Sequence, residues 1–101
     1  MSELTKLPNI AAKLDAQLAD IGITTFAELK RIGSREAWLR ILARDPSACL
    51  MRLSALEGAI QGVRWHNLDD NTKASLKDFY RTQKQRSVNN VVFLENKKEG
   101  R

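Results

Sequence analysis

The sequence predicts an all-α protein, with about five helices around one central apolar helix. Three observations carry that expectation. Up to about residue 85, no stretch alternates apolar and polar side chains as a half-buried strand would. Prolines occur only at Pro8 and Pro46, which leaves long runs free of helix breakers. Gly, Asn, Ser, Thr and Asp fall where helices need to start and stop. With 101 residues, 43% of them hydrophobic, the chain has the length and composition of one globular domain.

The elements follow in order. A short first helix is expected at about residues 2–6. Pro8 and Asn9 then make a tight connection, because Pro fixes φ and Asn tolerates left-handed geometry. The next helix carries Ile10, Leu14, Leu18 and Ile21 on one face, and Gly22 lies where a left-handed residue closes a helix. Thr25 and Glu28 form a capping box for a helix over about 26–32, which Gly33 stops. Ser34 is the candidate N-cap of a helix reaching about Arg44, with Trp38, Ile41 and Leu42 inward. Asp45-Pro46-Ser47 separates it from the central helix, about Ala48 to Val63. There Cys49, Leu53, Leu56, Ile60 and Val63 recur at steps of four and three, and Leu50, Met51, Ala55 and Ala59 widen the stripe. Gly58 and Gly62 share a face and each costs about 1 kcal/mol of helix propensity, so the pair reads as a packing notch. Asp69 or Asp70 caps a final helix to about Gln85, with Leu76, Phe79 and Tyr80 inward. The domain is thus expected at 1–85. A tail follows at 86–101, in which Val91, Val92, Phe93 and Leu94 form an apolar, β-prone segment that contacts would order.

Several function classes are excluded at this level. The longest apolar runs are four residues, which leaves no room for a membrane span or a secretory signal, so a cytoplasmic location is expected. One cysteine, Cys49, rules out an internal disulfide, and with a single histidine, His66, it cannot build a structural zinc site. No Gly-rich phosphate loop or paired nucleophile and base is present, and Asp69-Asp70 is explained by helix capping. The chain therefore reads as a non-enzyme with no catalytic residues, metal or cofactor. Cys49, on the apolar stripe, reads as an inert packing residue. Trp65 reads as a core anchor and His66 as a hydrogen-bonding neighbour. The sharper alternative makes them a base-stacking surface and a phosphate contact.

Charge points to an anionic partner. The net charge is +5, and residues 51–101 hold ten basic against six acidic side chains, compared with seven against six in residues 1–50. On the last helix Lys73, Lys77, Arg81 and Lys84 fall within a narrow arc beside the Leu76/Phe79 face. An anion would explain that stripe, and so would a solvated face.

Leu7-Pro8-Asn9-Ile10-Ala11-Ala12-Lys13, followed by Leu18 and Ile21-Gly22-Ile23-Thr24-Thr25, resembles a helix-hairpin-helix element. Together with Leu56-Glu57-Gly58-Ala59-Ile60-Gln61-Gly62-Val63-Arg64-Trp65-His66, it resembles the C-terminal domain of the TfoX/Sxy family over about Leu4 to Tyr80. The second string is the more specific. The resemblance implies a small all-α domain, in a bacterial family linked to the regulation of natural transformation competence. It implies no enzymatic activity. Longer members carry an α/β domain ahead of this one, so the chain looks like a stand-alone version.

A hairpin leading into a helix aims unpaired amides and the positive end of the helix dipole outward, where a phosphate can accept them whatever the base sequence. The donors here would be the amides of Ile10 and Ala11 with that of Ala12, and Lys13 and Lys6 would add charge. An internal echo at an offset of 22 pairs Leu7 with Leu29, Ile10 with Ile32, Ala11 with Gly33 and Lys13 with Arg35, which suggests a second hairpin contributing Arg35. Phosphate-binding hairpins commonly have Gly-hydrophobic-Gly, and this chain has Asn9-Ile10-Ala11, so a connector that only packs Ile10 remains the competing reading. The expected function is a non-enzymatic nucleic-acid-associated regulatory module that binds duplex DNA weakly through its backbone. The alternative is a protein-interaction or oligomerisation module, using the Gly58/Gly62 notch or Val91–Leu94, with the hairpin as scaffold.

Overall fold

Helix boundaries in this chain are set by local backbone devices, and the computed structural model describes them for the backbone of residues 3–98 and the side chains of residues 3–85. A 3-10 turn, Glu3–Lys6, precedes α1 (Ala12–Asp20), α2 (Phe26–Ile32), α3 (Ser34–Arg44) and α4 (Leu50–Gln61). A second 3-10 turn, Trp65–Asn67, leads into α5 (Asp70–Lys98). Among the described residues there is no strand, and the fold is all-α as predicted.

Most stops and starts act as the sequence indicates. Beyond α1, Gly22 has φ +86, its amide reaches the Ala19 carbonyl, and the Ile23 amide reaches that of Leu18. That pair of bonds is the Schellman arrangement. Gly62, at φ +78, closes α4 the same way, with its own amide on Ala59 and the Val63 amide on Gly58. Thr25 Oγ1 accepts the Glu28 amide at 3.2 Å, and Glu28 Oε1 accepts the Thr25 amide at 3.2 Å, completing the capping box. Asp69 Oδ1 accepts the Thr72 amide at 2.7 Å at the start of α5. That bond holds the Asp69 carboxyl below its ordinary value.

The core lies between α1, α3, α4 and α5. Trp38 is its largest member: the indole is fully buried, and its Nε1 donates to the Cys49 carbonyl at 3.2 Å. Phe79 and Tyr80 of α5 meet that indole edge-on, at centroid distances of 6.0 and 5.8 Å. Leu53 and Leu56 from α4, Leu18 from α1 and Leu76 from α5 are also fully buried. Burying one such side chain is worth roughly 1.5–3 kcal/mol, so α5 is held mainly by Leu76 and the aromatic cluster.

The short first helix is present as one 3-10 turn. Four expectations are revised. Ser34 is the first residue of α3 rather than its N-cap, because Gly33 at φ +89 makes the turn and frees the Ser34 hydroxyl to donate to Glu57 Oε1 at 2.6 Å. Cys49 is exposed, since α4 begins only at Leu50 and helical spacing does not govern the residue ahead of it. Trp65 is 36% exposed instead of anchoring the core, and Leu68 is buried at 3% on the far side of that turn. Finally, α5 runs to Lys98, past the expected end near Gln85. The side chains of Val91, Val92, Phe93 and Leu94 lie outside the described residues.

Candidate functional site

The approach to α1 is held by one side chain. Asn9 adopts φ +72, the single non-glycine residue with positive φ among those described. Its Nδ2 donates to the carbonyls of Ala55 at 3.3 Å and Val63 at 3.0 Å, and its Oδ1 accepts the Trp65 amide at 3.1 Å. Gly58 makes room for this: a Cβ there would stand 2.5 Å from Asn9 Nδ2 and 2.7 Å from the Val63 oxygen. The packing notch expected at Gly58 and Gly62 therefore resolves into two separate roles. Gly58 is filled from within by Asn9, and Gly62 turns the chain.

This lock leaves a groove of about 350 Å³ between the start of α1, the start of α4 and the turn at Trp65. Lys13, Arg52 and Arg64 line it, and no acidic side chain does. Its apolar lining includes Leu14, Ala55, Met51 and Trp65. Ala11 stands at the N-cap of α1 and provides no side-chain hydrogen bond, so no cap side chain covers the first-turn amides there. Asp45 braces the groove from behind. Its Oδ1 accepts both the hydroxyl and the amide of Ser47, while its Oδ2 accepts Arg52 Nη1 at 2.9 Å and Gln17 Nε2 at 2.9 Å. The Ser47 hydroxyl first, then the Ser47 amide and the Arg52 guanidinium, hold the Asp45 carboxyl far below the usual carboxylate range.

A second groove, of about 420 Å³, opens at the start of α3. Its charged lining is mixed: Lys30 and Arg35 face Glu36 and Glu57. Arg35 is engaged there, with Nη2 donating to Ser75 Oγ at 2.7 Å and the guanidinium 5.9 Å from the Phe79 ring centroid.

The remaining sequence-derived residues do not gather at one place. Ile10 is 4% exposed and its amide points to the Leu7 carbonyl at 3.5 Å, so that donor is turned inward. Ala11, Lys6 and Lys13 are exposed. On α5, Lys73, Lys77 and Arg81 are exposed, while Lys84 is half-buried, donating from Nζ to the Pro46 carbonyl at 3.1 Å and lying 5.9 Å from the Tyr80 ring centroid. The groove thus gathers Lys13 but none of the α5 cations. Met51, Arg52 and Arg64 are not among the sequence-derived candidates, and Trp65 is there only as the alternative to a core anchor. A signal for Met51 existed: at 100° per residue it falls about 160° from Leu53, on the opposite side of α4. Nothing local in the sequence marked Trp65 as outward-facing.

Among the described residues, no group of three or more His, Cys, Asp or Glu side chains is placed to hold a metal ion. No helix there is long and apolar enough to cross a membrane.

Comparison with known proteins agrees with this architecture. The family model described as the TfoX C-terminal domain matches residues 1–80. Protein Sxy of Escherichia coli (strain K12) is 35% identical over 60 residues, which is 59% of this chain and 29% of that protein. The chain thus has a counterpart in less than a third of that relative's length. A Listeria monocytogenes protein of unknown function, solved in triclinic and tetragonal crystal forms, is 49% identical with a TM-score of 0.79 in each. The likeness covers 80% of this chain and 92% or 99% of the two solved chains.

Proposed function

The chain belongs to the TfoX C-terminal domain family, and from that premise we propose that it is a non-catalytic regulatory domain, of the type linked to transformation competence, that binds duplex DNA weakly through the backbone. The observation that carries this reading is the outer face of α5. Lys73, Lys77 and Arg81 are all exposed and spaced four residues apart, so they fall within about 80° of one another. Like charges at that spacing repel by a few tenths of a kcal/mol and add nothing to the isolated helix. A row of phosphates offsets that repulsion and needs no base contact.

The hairpin supports a smaller share than its sequence suggests. Ile10 is buried and its amide is turned inward, so the segment before α1 serves chiefly to seat Ile10 and Asn9. Arg35 and Lys84 are held by partners within the protein. That leaves Lys73, Lys77 and Arg81 as the principal contacts, with Lys6 and Lys13 in support.

Fluorescence anisotropy with a labelled mixed-sequence 30-mer duplex tests the reading. Three neutralised phosphates give a log–log salt slope near about −2.7, or roughly a 40-fold loss of affinity between 50 and 200 mM salt. Lys77→Glu should weaken binding and flatten that slope by about 1 or more. Absence of binding at 50 mM salt, or an unchanged slope in Lys77→Glu, removes the α5 face from DNA binding.

A further inference from the structure

Met51, 57% exposed, and Trp65, 36% exposed, are the two large hydrophobic side chains that stand open among the described residues. Both line the groove at the start of α1. Solvent-facing apolar side chains brought together in a concave, polar-rimmed site offer a partner apolar surface to bury. The charge around them has one sign, because Lys13, Arg52 and Arg64 line the groove and no carboxylate does. Arg52 already holds Asp45, so Lys13 and Arg64 carry the uncompensated charge.

We propose that this groove docks an acidic amphipathic segment of a partner protein. Apolar side chains of the segment seat between Met51 and Trp65, and its carboxylates meet Lys13 and Arg64. Methionine adapts its shape to varied apolar side chains, and Trp presents a large rigid surface at low entropic cost, so the pair suits a helix laid into a groove. A nucleic-acid strand is a poorer occupant. It uses successive aromatic platforms along a basic track, whereas this groove has one aromatic ring in a lining shared with the aliphatic Leu14 and Ala55. No residue of α5 lines the groove, so Lys13 is the one cation it shares with the DNA-binding reading.

The test is selection of a displayed random 12-residue peptide library on the full chain. The expected outcome is enrichment of sequences that combine Asp or Glu with Leu, Phe or Trp. Their affinity should fall about tenfold or more for Met51→Glu, Trp65→Ala and Arg64→Glu, as expected for a docking anchor. Trp38 is fully buried, so a blue shift of tryptophan emission on adding an enriched peptide would report burial of Trp65. Met51→Glu alters an exposed side chain and serves as the deciding variant if Trp65→Ala fails to fold. No enrichment, enriched peptides without the acidic and apolar pattern, or equal affinity for the variants overturns the proposal. Tight binding of a labelled 12-residue oligothymidylate that is lost in Trp65→Ala also overturns it and gives the groove to single strands. The α5 variant Lys77→Glu should leave peptide affinity unchanged, which separates this result from the duplex titration.

Discussion

The turns ahead of α1 and α3 use the same construction to border different surfaces. Each contains one residue with positive φ, Asn9 at +72 and Gly33 at +89, and each is tied to α4 by a polar side chain. In the first turn Asn9 reaches the Ala55 and Val63 carbonyls. In the second the Ser34 hydroxyl reaches Glu57. Around the first, every charged lining residue is basic. Around the second, Glu36 and Glu57 face Lys30 and Arg35. Lys13 and Arg35, matched by the 22-residue echo, differ accordingly. Lys13 is exposed, whereas Arg35 is spent on Ser75 and Phe79. Matching backbone punctuation can therefore be repeated without repeating the chemistry, because a turn needs only one or two residue types and a surface depends on all its neighbours.

The largest effect should come from breaking the first tie. Asn9→Ala removes three hydrogen bonds and leaves an alanine at positive φ, costing about 3 kcal/mol. Thermal unfolding should show a Tm lower by roughly 10–20 °C. Gly58→Ala attacks the same contact from the other side and should cost about 2 kcal/mol by crowding Asn9 and the Val63 carbonyl. The double variant should be less destabilised than the sum of the two, since removing Asn9 relieves part of the clash. Strict additivity would mean that Gly58 serves some other contact.

Ser34→Ala should be milder, about 1 kcal/mol. Its hydroxyl is nearly buried, but Glu57 keeps a second bond, from Gln61 Nε2 to Oε2 at 2.6 Å. A loss equal to that of Asn9→Ala would remove the contrast between the two turns.

The smallest effect is the pH dependence that Asp45 contributes beside the first groove. The folded Asp45 carboxyl lies below its ordinary value of 3.8. Its stabilising contribution is therefore fully present above that value and is lost as pH falls through the folded one. Gln17 and Arg52, which Asp45 holds, line only the first of the two grooves, so acidification below about pH 4 should loosen that groove first. Amide exchange or NMR shifts that change in step around α3 would break the distinction. Asp45→Asn should abolish the difference in stability between pH 6 and pH 3 that this carboxylate contributes.

Much of the helical framework was legible because its signals are local. The capping box of Thr25 and Glu28, the closure at Gly22 and the Asp69 cap each involve residues within five positions of one another, so composition at those positions suffices. The inward faces of α3 and α5, with Trp38 and Leu76, follow from helical period. The site was less legible. The two tryptophans offer the same side chain to the core, and only the packed structure selects between them. Cys49 fits the apolar stripe of α4 by spacing but lies one residue ahead of the helix, where spacing no longer sets direction.

Helix formation, most helix boundaries and the basic excess of the second half follow from local sequence. Which cations stay free and which apolar side chains stay outside depends on packing. Those choices rest on contacts between residues far apart in the chain, such as Asn9 with Val63, Arg35 with Ser75 and Lys84 with Pro46. A side chain's direction at such places is fixed by its distant partner, and no periodicity around the residue itself carries that information.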